Sequence, residues 1–427
     1  MNNDMVLVGA RIVDPVSGYF GPADIFVANG KIARVDKRKK KSSHKGALNL
    51  KGLYLCPGFI DMHVHLREPG REDEETIVSG SWAAAAGGFT AVACMPNTDP
   101  ALDSAEAIKY VTERARLAAG KVYPVGAITV GRKGETLAPM LEMAEIGAVA
   151  FSDDGSGLQN SHLMRRALEY LKSSDMTIIS HCEYNDICAG GVMNESFTST
   201  VLGLRGIPPI AEELMVARDI MLAEYTGGRV HIAHVSTAAS VELIRRAKRA
   251  RVKVTAEVTP HHFTLTDDLI KSFDTNLKVN PPLRTRKDVE ALKKGLQNGA
   301  IDCIASDHAP HAIEEKEAEF DSAPFGMIGL ETTVGLVVTE LIKKRILSWP
   351  EAVAAMTVKP ARILKIPGGT FEIGAPADFT VIDPSLEWVV SKDEFKSLSK
   401  NSPFVGRKLT GKAVMTIVNG KIVHSLI

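Results

Sequence analysis

LYLCPGFIDMHVHL, residues 53–66, is an apolar run closed by two histidines, and seven further apolar runs follow it along the chain. They are GFTAVACM (88–95), KVYPVGAITV (121–130), GAVAFS (147–152), MTIIS (176–180), RVHIAHV (229–235), VKVTAEV (252–258) and IDCIAS (301–306). Between them lie stretches such as SAEAIKYVTERARLAA (104–119) and SVELIRRAKRARV (240–252), whose apolar spacing suits one face of a helix. Strand alternating with helix predicts a parallel sheet with right-handed crossovers. Eight such units predict an α/β fold of the closed (β/α)8 TIM-like barrel type, ahead of a doubly wound open sheet.

The barrel reading places chemistry. Reactive groups collect at the C-terminal ends of barrel strands. His63 and His65, Asp154, His181, His234 and Asp307 follow candidate strands one, four, five, six and eight, so five separate segments would converge on one mouth. Two residues apart on a strand, His63 and His65 point the same way and can grip one ion. AVAFSDDGSG offers Asp153 and Asp154; neighbours on an extended chain face opposite sides, so only one is expected to enter the mouth, the alternative being that both simply make a turn with Gly155. His231 lies opposite in pleat to His234 and is expected to pack within the wall, and His261 and His262 of TPHH are expected to be structural. In SDHAPH, Asp307 could bind a metal through one oxygen and take the proton of an attacking water with the other. His311 could donate to an anionic group, and Arg67 adds a fixed cation whose fork binds a carboxylate in bidentate fashion. Histidine and carboxylate are ligands that zinc-like ions prefer, so the set could hold two such ions, and a hydrolase is the leading reading.

Composition frames this. The 427 residues are 45% hydrophobic, with 51 basic and 51 acidic side chains, enough for one large domain and a smaller one and with no charge excess calling for a polyanionic partner. The five cysteines, Cys56, Cys94, Cys182, Cys188 and Cys303, form no CxxC pair and are odd in number, which fits a reducing cytoplasm. The N-terminus lacks a basic-then-apolar signal pattern, and no apolar stretch reaches the roughly 18 residues that span a bilayer. The basic run KRKKKSSHK, Lys37 to Lys45, reads as a solvated hairpin loop. No GxSxG elbow, P-loop or strand-linked GxGxxG occurs.

The two ends resemble each other. VANGKIARV (27–35) and IVNGKIVHS (417–425) each set an Asn-Gly pair between alternating apolar residues, a strong hairpin signal. With ADIFV (23–27) and ADFTVID (377–383) they predict one small β-sandwich domain built from both termini, residues 1–56 and 367–427, flanking a catalytic barrel of residues 57–366.

Read in order, PGFIDMHVHLREPG, MPNT, the DDG turn, HCE, AHVS, KVNPPLR, SDHAPH and PFGMIGLE resemble the type I dihydroorotases of the amidohydrolase superfamily, from about residue 5 to the C-terminus. HxH and SDH are shared with hydantoinases and allantoinases, whereas HLREPG with MPNT, NPPLR and APH is more specific. The resemblance implies reversible, zinc-dependent hydrolysis of the cyclic amide of (S)-dihydroorotate to N-carbamoyl-L-aspartate in pyrimidine synthesis. It implies two zinc ions per subunit, with His63, His65 and Asp307 on one, His181 and His234 on the other, and an Asp of the DDG turn bridging. Its spacing to His181 selects Asp154. Many relatives in the superfamily carry a carboxylated lysine at this strand; here Asp-Asp-Gly stands, as in a bacterial branch of the family. Asp307 becomes the catalytic acid and base. His65, Arg67, Asn97 and His311 meet the substrate and its carboxylate, and Asn280, Phe325 and Gly326 meet the ring edge. A homo-oligomer, a dimer, and a complex with aspartate transcarbamoylase are the partners the resemblance suggests. A hydantoinase or allantoinase, or an inactive scaffold for a transcarbamoylase, are the competing readings. The acidic stretch Ile313 to Ala323 is a lid candidate by composition.

Overall fold

A computed structural model describes residues 4–37 and 46–427. The basic run at 37–45 therefore lies outside the described residues apart from Lys37. Eight parallel strands run in order around one sheet: Phe59–Val64, Phe89–Cys94, Lys121–Gly126, Ala150–Phe151, Thr177–Ser180, Arg229–Ile232, Val254–Val258 and Cys303–Ile304. Each falls inside one of the eight apolar runs. Strands one and two are buried at every position, as expected of parallel strands covered on both faces. The helical stretches appear as Ala105–Arg114, capped by Ser104, and Ala238–Arg249, capped by Thr237, each with its apolar stripe against the sheet.

The barrel closes between its first strand and the segment beyond its last. Val64 bridges His308 in parallel, and His65 N donates to His308 O at 2.8 Å. Asp61 crosses the same seam: its carboxylate accepts from Ser306 N at 3.0 Å and from His63 N at 3.1 Å. That one buried side chain fixes the backbone of both strand-end segments it touches.

The run 53–66 is not one strand, as the sequence suggested, but two. Tyr54–Pro57 joins the terminal sheet and Phe59–Val64 opens the barrel. Gly58 makes the break. A Cβ there would lie 2.2 Å from Thr90 Oγ1, and its N–H donates to Asp378 O at 2.8 Å. A side chain could not pass between the two sheets at this point.

Both chain ends meet in that terminal sheet. Its order is Lys421–Ser425, Lys408–Val418, Phe379–Val389, Tyr54–Pro57, Met5–Val13, Phe20–Ala28 and Lys31–Lys37, with Leu48–Asn49 also paired to Met5–Val13. The strands form one continuous hydrogen-bonded sheet that draws on both chain ends, as expected of the small terminal β-domain. The reason is the pairing of Phe379–Val389 with Tyr54–Pro57, which splices the C-terminal strands directly onto the N-terminal ones. Both Asn-Gly pairs turn as anticipated: Asn29 and Gly30, Asn419 and Gly420 all have positive φ, the geometry of a two-residue hairpin turn. Thr380 and Thr416 then tie the sheet to the barrel, donating to Gly88 O and Ala85 O at 2.6 Å each.

Replacing Asp61 with alanine should strand two buried N–H donors at the seam and lower unfolding free energy by about 1–3 kcal/mol. Chemical denaturation checks this; an unchanged midpoint would show that the seam does not depend on Asp61.

Candidate metal centre

Each strand end delivers its side chain for a local reason. His63 is the penultimate residue of strand one, and His65 follows directly on the same face. His181 follows strand five immediately, and His234 lies two residues past strand six. His234 and Asp307 both have positive φ, 31° and 48°, so the chain turns sharply where each side chain enters the mouth.

The structure separates the two aspartates that the sequence left paired. Asp153 turns into the wall, where Oδ1 accepts from Ile128 N at 2.9 Å and Thr129 N at 3.1 Å and Oδ2 from Thr129 Oγ1 at 2.5 Å. Asp154 turns into the mouth. Its Oδ1 lies 3.4 Å from His63 Nε2, 3.6 Å from His181 Nδ1 and 3.5 Å from His234 Nε2, and its Oδ2 lies 3.5 Å from His65 Nε2. Asp307 flanks this centre, with Oδ1 3.0 Å from His65 Nε2 and 3.6 Å from His63 Nε2. All six residues are buried.

These contacts are too long and too convergent to be a finished hydrogen-bond network. His63 Nε2, Asp154 Oδ1 and His234 Nδ1 are buried with no hydrogen-bond partner, and His181 Nδ1 faces His234 Nε2 at 3.0 Å. Orphaned polar atoms are costly unless something satisfies them. The local potential says what that is. Burial opposes charge on Asp154, yet His63, His181 and His234 hold its carboxyl well below the usual range. Burial likewise opposes charge on His181, but Asp154 and Glu183 push it up to about 10. The site attracts positive charge. At this centre two sets of donors fit a metal cation, His63 with His65 and Asp154, and Asp154 with His181 and His234; a third group, Glu74 with His311 and Glu315, lies at the neighbouring cavity.

Supporting residues escaped the sequence reading. Glu257, in strand seven, accepts from His63 Nδ1 at 2.6 Å and orients its Nε2 into the centre. Its other oxygen meets His231 Nε2 at 3.2 Å, so His231 serves the wall as expected. A glutamate inside the otherwise apolar run VKVTAEV was a readable signal. Of the histidines expected to be structural, His262 is held by Thr259 Oγ1 at 2.7 Å and Pro281 O at 2.9 Å. His261 differs, because its buried Nε2 has no partner. His308 spans Gly329 N and Glu75.

Beside the centre is a cavity of about 240 Å³ whose lining includes Arg67, Asn97 and His311. Asn97 joins it to the metal cluster by accepting from His65 Nδ1 at 2.7 Å. Arg67 Nη2 lies 3.2 Å from His311 Nε2, which in turn is 2.8 Å from Phe325 O. A Cβ on Gly326 would come within 2.9 Å of His311 Nε2, so glycine leaves this edge open. Asn280 stands on the flank next to Glu183, itself the neighbour of His181, with a buried Oδ1 that has no partner. The acidic stretch 313–323 is pinned: Lys316 Nζ donates to Thr275 O and Pro324 O, and Lys278 Nζ to Phe320 O and Asp321 O.

A closed parallel barrel with histidines and aspartates gathered at the C-terminal mouth defines the amidohydrolase class of metal-dependent enzymes. A model of dihydro-orotase-like proteins matches residues 52–240, and one of the amidohydrolase family matches residues 211–424. The chain is 55% identical to a dihydroorotase of Pelotomaculum thermopropionicum over 98% of both chains, and 50% identical to one of Geotalea daltonii over 99% of both. It belongs to the dihydroorotase family. Among solved structures it superposes on the L-hydantoinase of Arthrobacter aurescens with a TM-score of 0.88 at 26% identity, covering 99% of this chain and 96% of that one. The dihydropyrimidinase of Brevibacillus agri gives 0.86 at 20% identity, covering 99% and 95%, a likeness of fold alone.

The division of labour between the two aspartates is testable by metal analysis. Asp154→Ala should weaken metal binding by at least about 100-fold, whereas Asp153→Ala should keep its metal and lose about 1–3 kcal/mol of stability. Equal metal retention in the two variants would contradict the geometry.

Proposed function

We propose that the chain opens and closes the cyclic amide of (S)-dihydroorotate, interconverting it with N-carbamoyl-L-aspartate. The observation that carries this is the 2.7 Å contact between His65 and Asn97, which joins a cation-attracting centre to a cavity that also holds Arg67 and His311. A hydrolytic centre next to an anion-binding cavity suits a ring bearing a carboxylate. Zinc is the cation this donor set suits, and when bound it would polarise the amide carbonyl and make water acidic enough to attack near neutral pH. His63, His65 and Asp307 would hold one ion and His181 and His234 another, with Asp154 between them.

The chain's own groups supply the rest. Arg67, Asn97 and His311 hold the substrate carboxylate and so fix the ring against the centre. Asn280 and the backbone at Phe325 and Gly326 face its amide edge. Oδ1 of Asp307 is the oxygen engaged with His65, which leaves Oδ2 to take a proton from the attacking water and hand it to the departing ring nitrogen.

Hydantoinases share the fold; Arg67 with Asn97 and His311 favours an anionic ring over them. All six proposed metal ligands are in place, which argues against an inactive scaffold. The division into a barrel of residues 57–366 and a terminal domain of 1–56 with 367–427 belongs to the same reading. So does a homodimer, supported by the exposed apolar residues Ile210, Leu214, Met221 and Tyr225 on the helix Pro209–Thr226. A transcarbamoylase partner is a further reading of the resemblance. Five free, buried cysteines suit a cytoplasmic location, and among the described residues no helix is long and apolar enough to cross a membrane.

An absorbance assay of ring opening, run on metal-analysed protein with and without added zinc, tests the activity. Turnover of dihydroorotate well above that of hydantoin is expected; the reverse preference would replace this reading with the hydantoinase one. Asp307→Asn should lower kcat by about 10²–10⁴-fold with an unchanged fold by circular dichroism, and near-normal turnover would remove Asp307 from the proton path. Arg67→Ala should raise KM about tenfold or more, since hydrogen bonds to charged groups are worth about 1.5–3 kcal/mol. An unchanged KM would move the carboxylate elsewhere.

A further inference from the structure

An anion-binding cavity lined by a buried carboxylate needs a reason for it. Three buried glutamates follow Arg67 closely, and their contacts differ. Glu68 faces away, taking Arg114 Nε, Tyr110 and the N–H of Ile77 at a helix start. Glu75 meets His308 and Ser397. Glu74, also buried, alone of the three turns toward the cavity residues. Its Oε2 lies 3.0 Å from Arg67 Nε, and its Oε1 lies 3.0 Å from His311 Nδ1 and 3.2 Å from Arg71 Nη2.

One carboxylate therefore holds two of the three residues read above as the carboxylate clamp. At Arg67 the single Nε–H donates to Pro310 O at 3.0 Å, and Glu74 Oε2 stands 3.0 Å from the same nitrogen as an ion-pair partner, so this edge of the guanidinium is held while its terminal nitrogens carry the remaining donors. At His311 its Oε1 lies 3.0 Å from Nδ1, which sets the ring with its Nε2 edge toward Arg67 and the Phe325 carbonyl. Arg67 itself sits at φ 59°, a backbone conformation that needs external support in a residue with a side chain. A long, flexible guanidinium held in one geometry before the ligand arrives loses less freedom on binding it. Glu315 also approaches His311 Nδ1, but at 3.5 Å and from the helix Ile313–Lys316, where its main partner is Arg71 at 2.9 Å.

We propose that Glu74 is a positioning residue for substrate binding, locking Arg67 and His311 into one clamp for the substrate carboxylate although it touches no substrate itself. This rests on the dihydroorotase reading. Its signature is a change in KM with little change in kcat, because Glu74 lies outside the metal centre, whereas a residue needed only for folding would lower the active fraction and stability and leave KM alone.

The test is steady-state ring opening of dihydroorotate by the metal-loaded wild type, Glu74→Gln, Arg67→Ala and the double variant. Glu74→Gln should raise KM about tenfold while kcat stays within about threefold. The double variant should bind no worse than Arg67→Ala by more than about twofold, since without Arg67 most of what Glu74 positions is gone. An unchanged KM in Glu74→Gln, or fully additive effects, would overturn the proposal. Should Glu74→Gln fail to fold, Glu74→Asp, one methylene too short to reach both partners, is judged by the same two criteria. A wild type that turns over dihydroorotate with Glu74→Gln unchanged sinks the proposal alone; a wild type with no turnover sinks the functional reading and the proposal with it.

Discussion

Everything at the mouth of this barrel is arranged around one carboxylate surrounded by four imidazoles. Asp154 places a buried negative charge about 3.5 Å from His63, His65, His181 and His234. A lone buried carboxylate is expensive, and side-chain contacts of 3.4–3.6 Å are too long to offset that expense as hydrogen bonds. The arrangement makes sense once cations occupy the spaces between them. The rest of the site follows from this constraint: Glu257 sets the ring of His63, Asn97 sets that of His65, and Asp307 adds the balancing charge on the far side.

The fold exists to hold that constraint. The proposed ligands lie on five segments spread over most of the barrel sequence, and only closure of the sheet brings the first and last together. That closure is local and polar, through Asp61, Ser306 and the backbone of His65 and His308, so the seam of the barrel and the floor of the site are the same few residues. The terminal sheet buttresses the start of strand one through Gly58, Thr380 and Asp378, a support for the ligand strand from outside the barrel.

Most of this was legible in the sequence for a simple reason. Strands of a parallel barrel are continuous apolar runs, so the residue that ends each run is conspicuous, and His63, His181, His234 and Asp307 all announce themselves that way. What was not legible depended on contacts distant in sequence. Asp153 and Asp154 are the same residue type one position apart; Thr129 claims the first and leaves the second, a choice made by a loop some two dozen positions away. The break at Gly58 needed the Thr90 side chain to be known. The single terminal sheet depended on how Phe379–Val389 pairs, which no local pattern encodes. Glu74 sat in a run of acidic residues that reads as solvated surface, and only folding turned it inward.

The central claim is that Asp154 is flanked by two cation positions. Anomalous X-ray diffraction at the zinc edge on crystals of the zinc-loaded protein addresses it most directly. The account predicts anomalous density on the His63 and His65 side of Asp154, and density on the His181 and His234 side as zinc is raised. Density that avoids Asp154 altogether, at a zinc concentration that supports turnover, would contradict it.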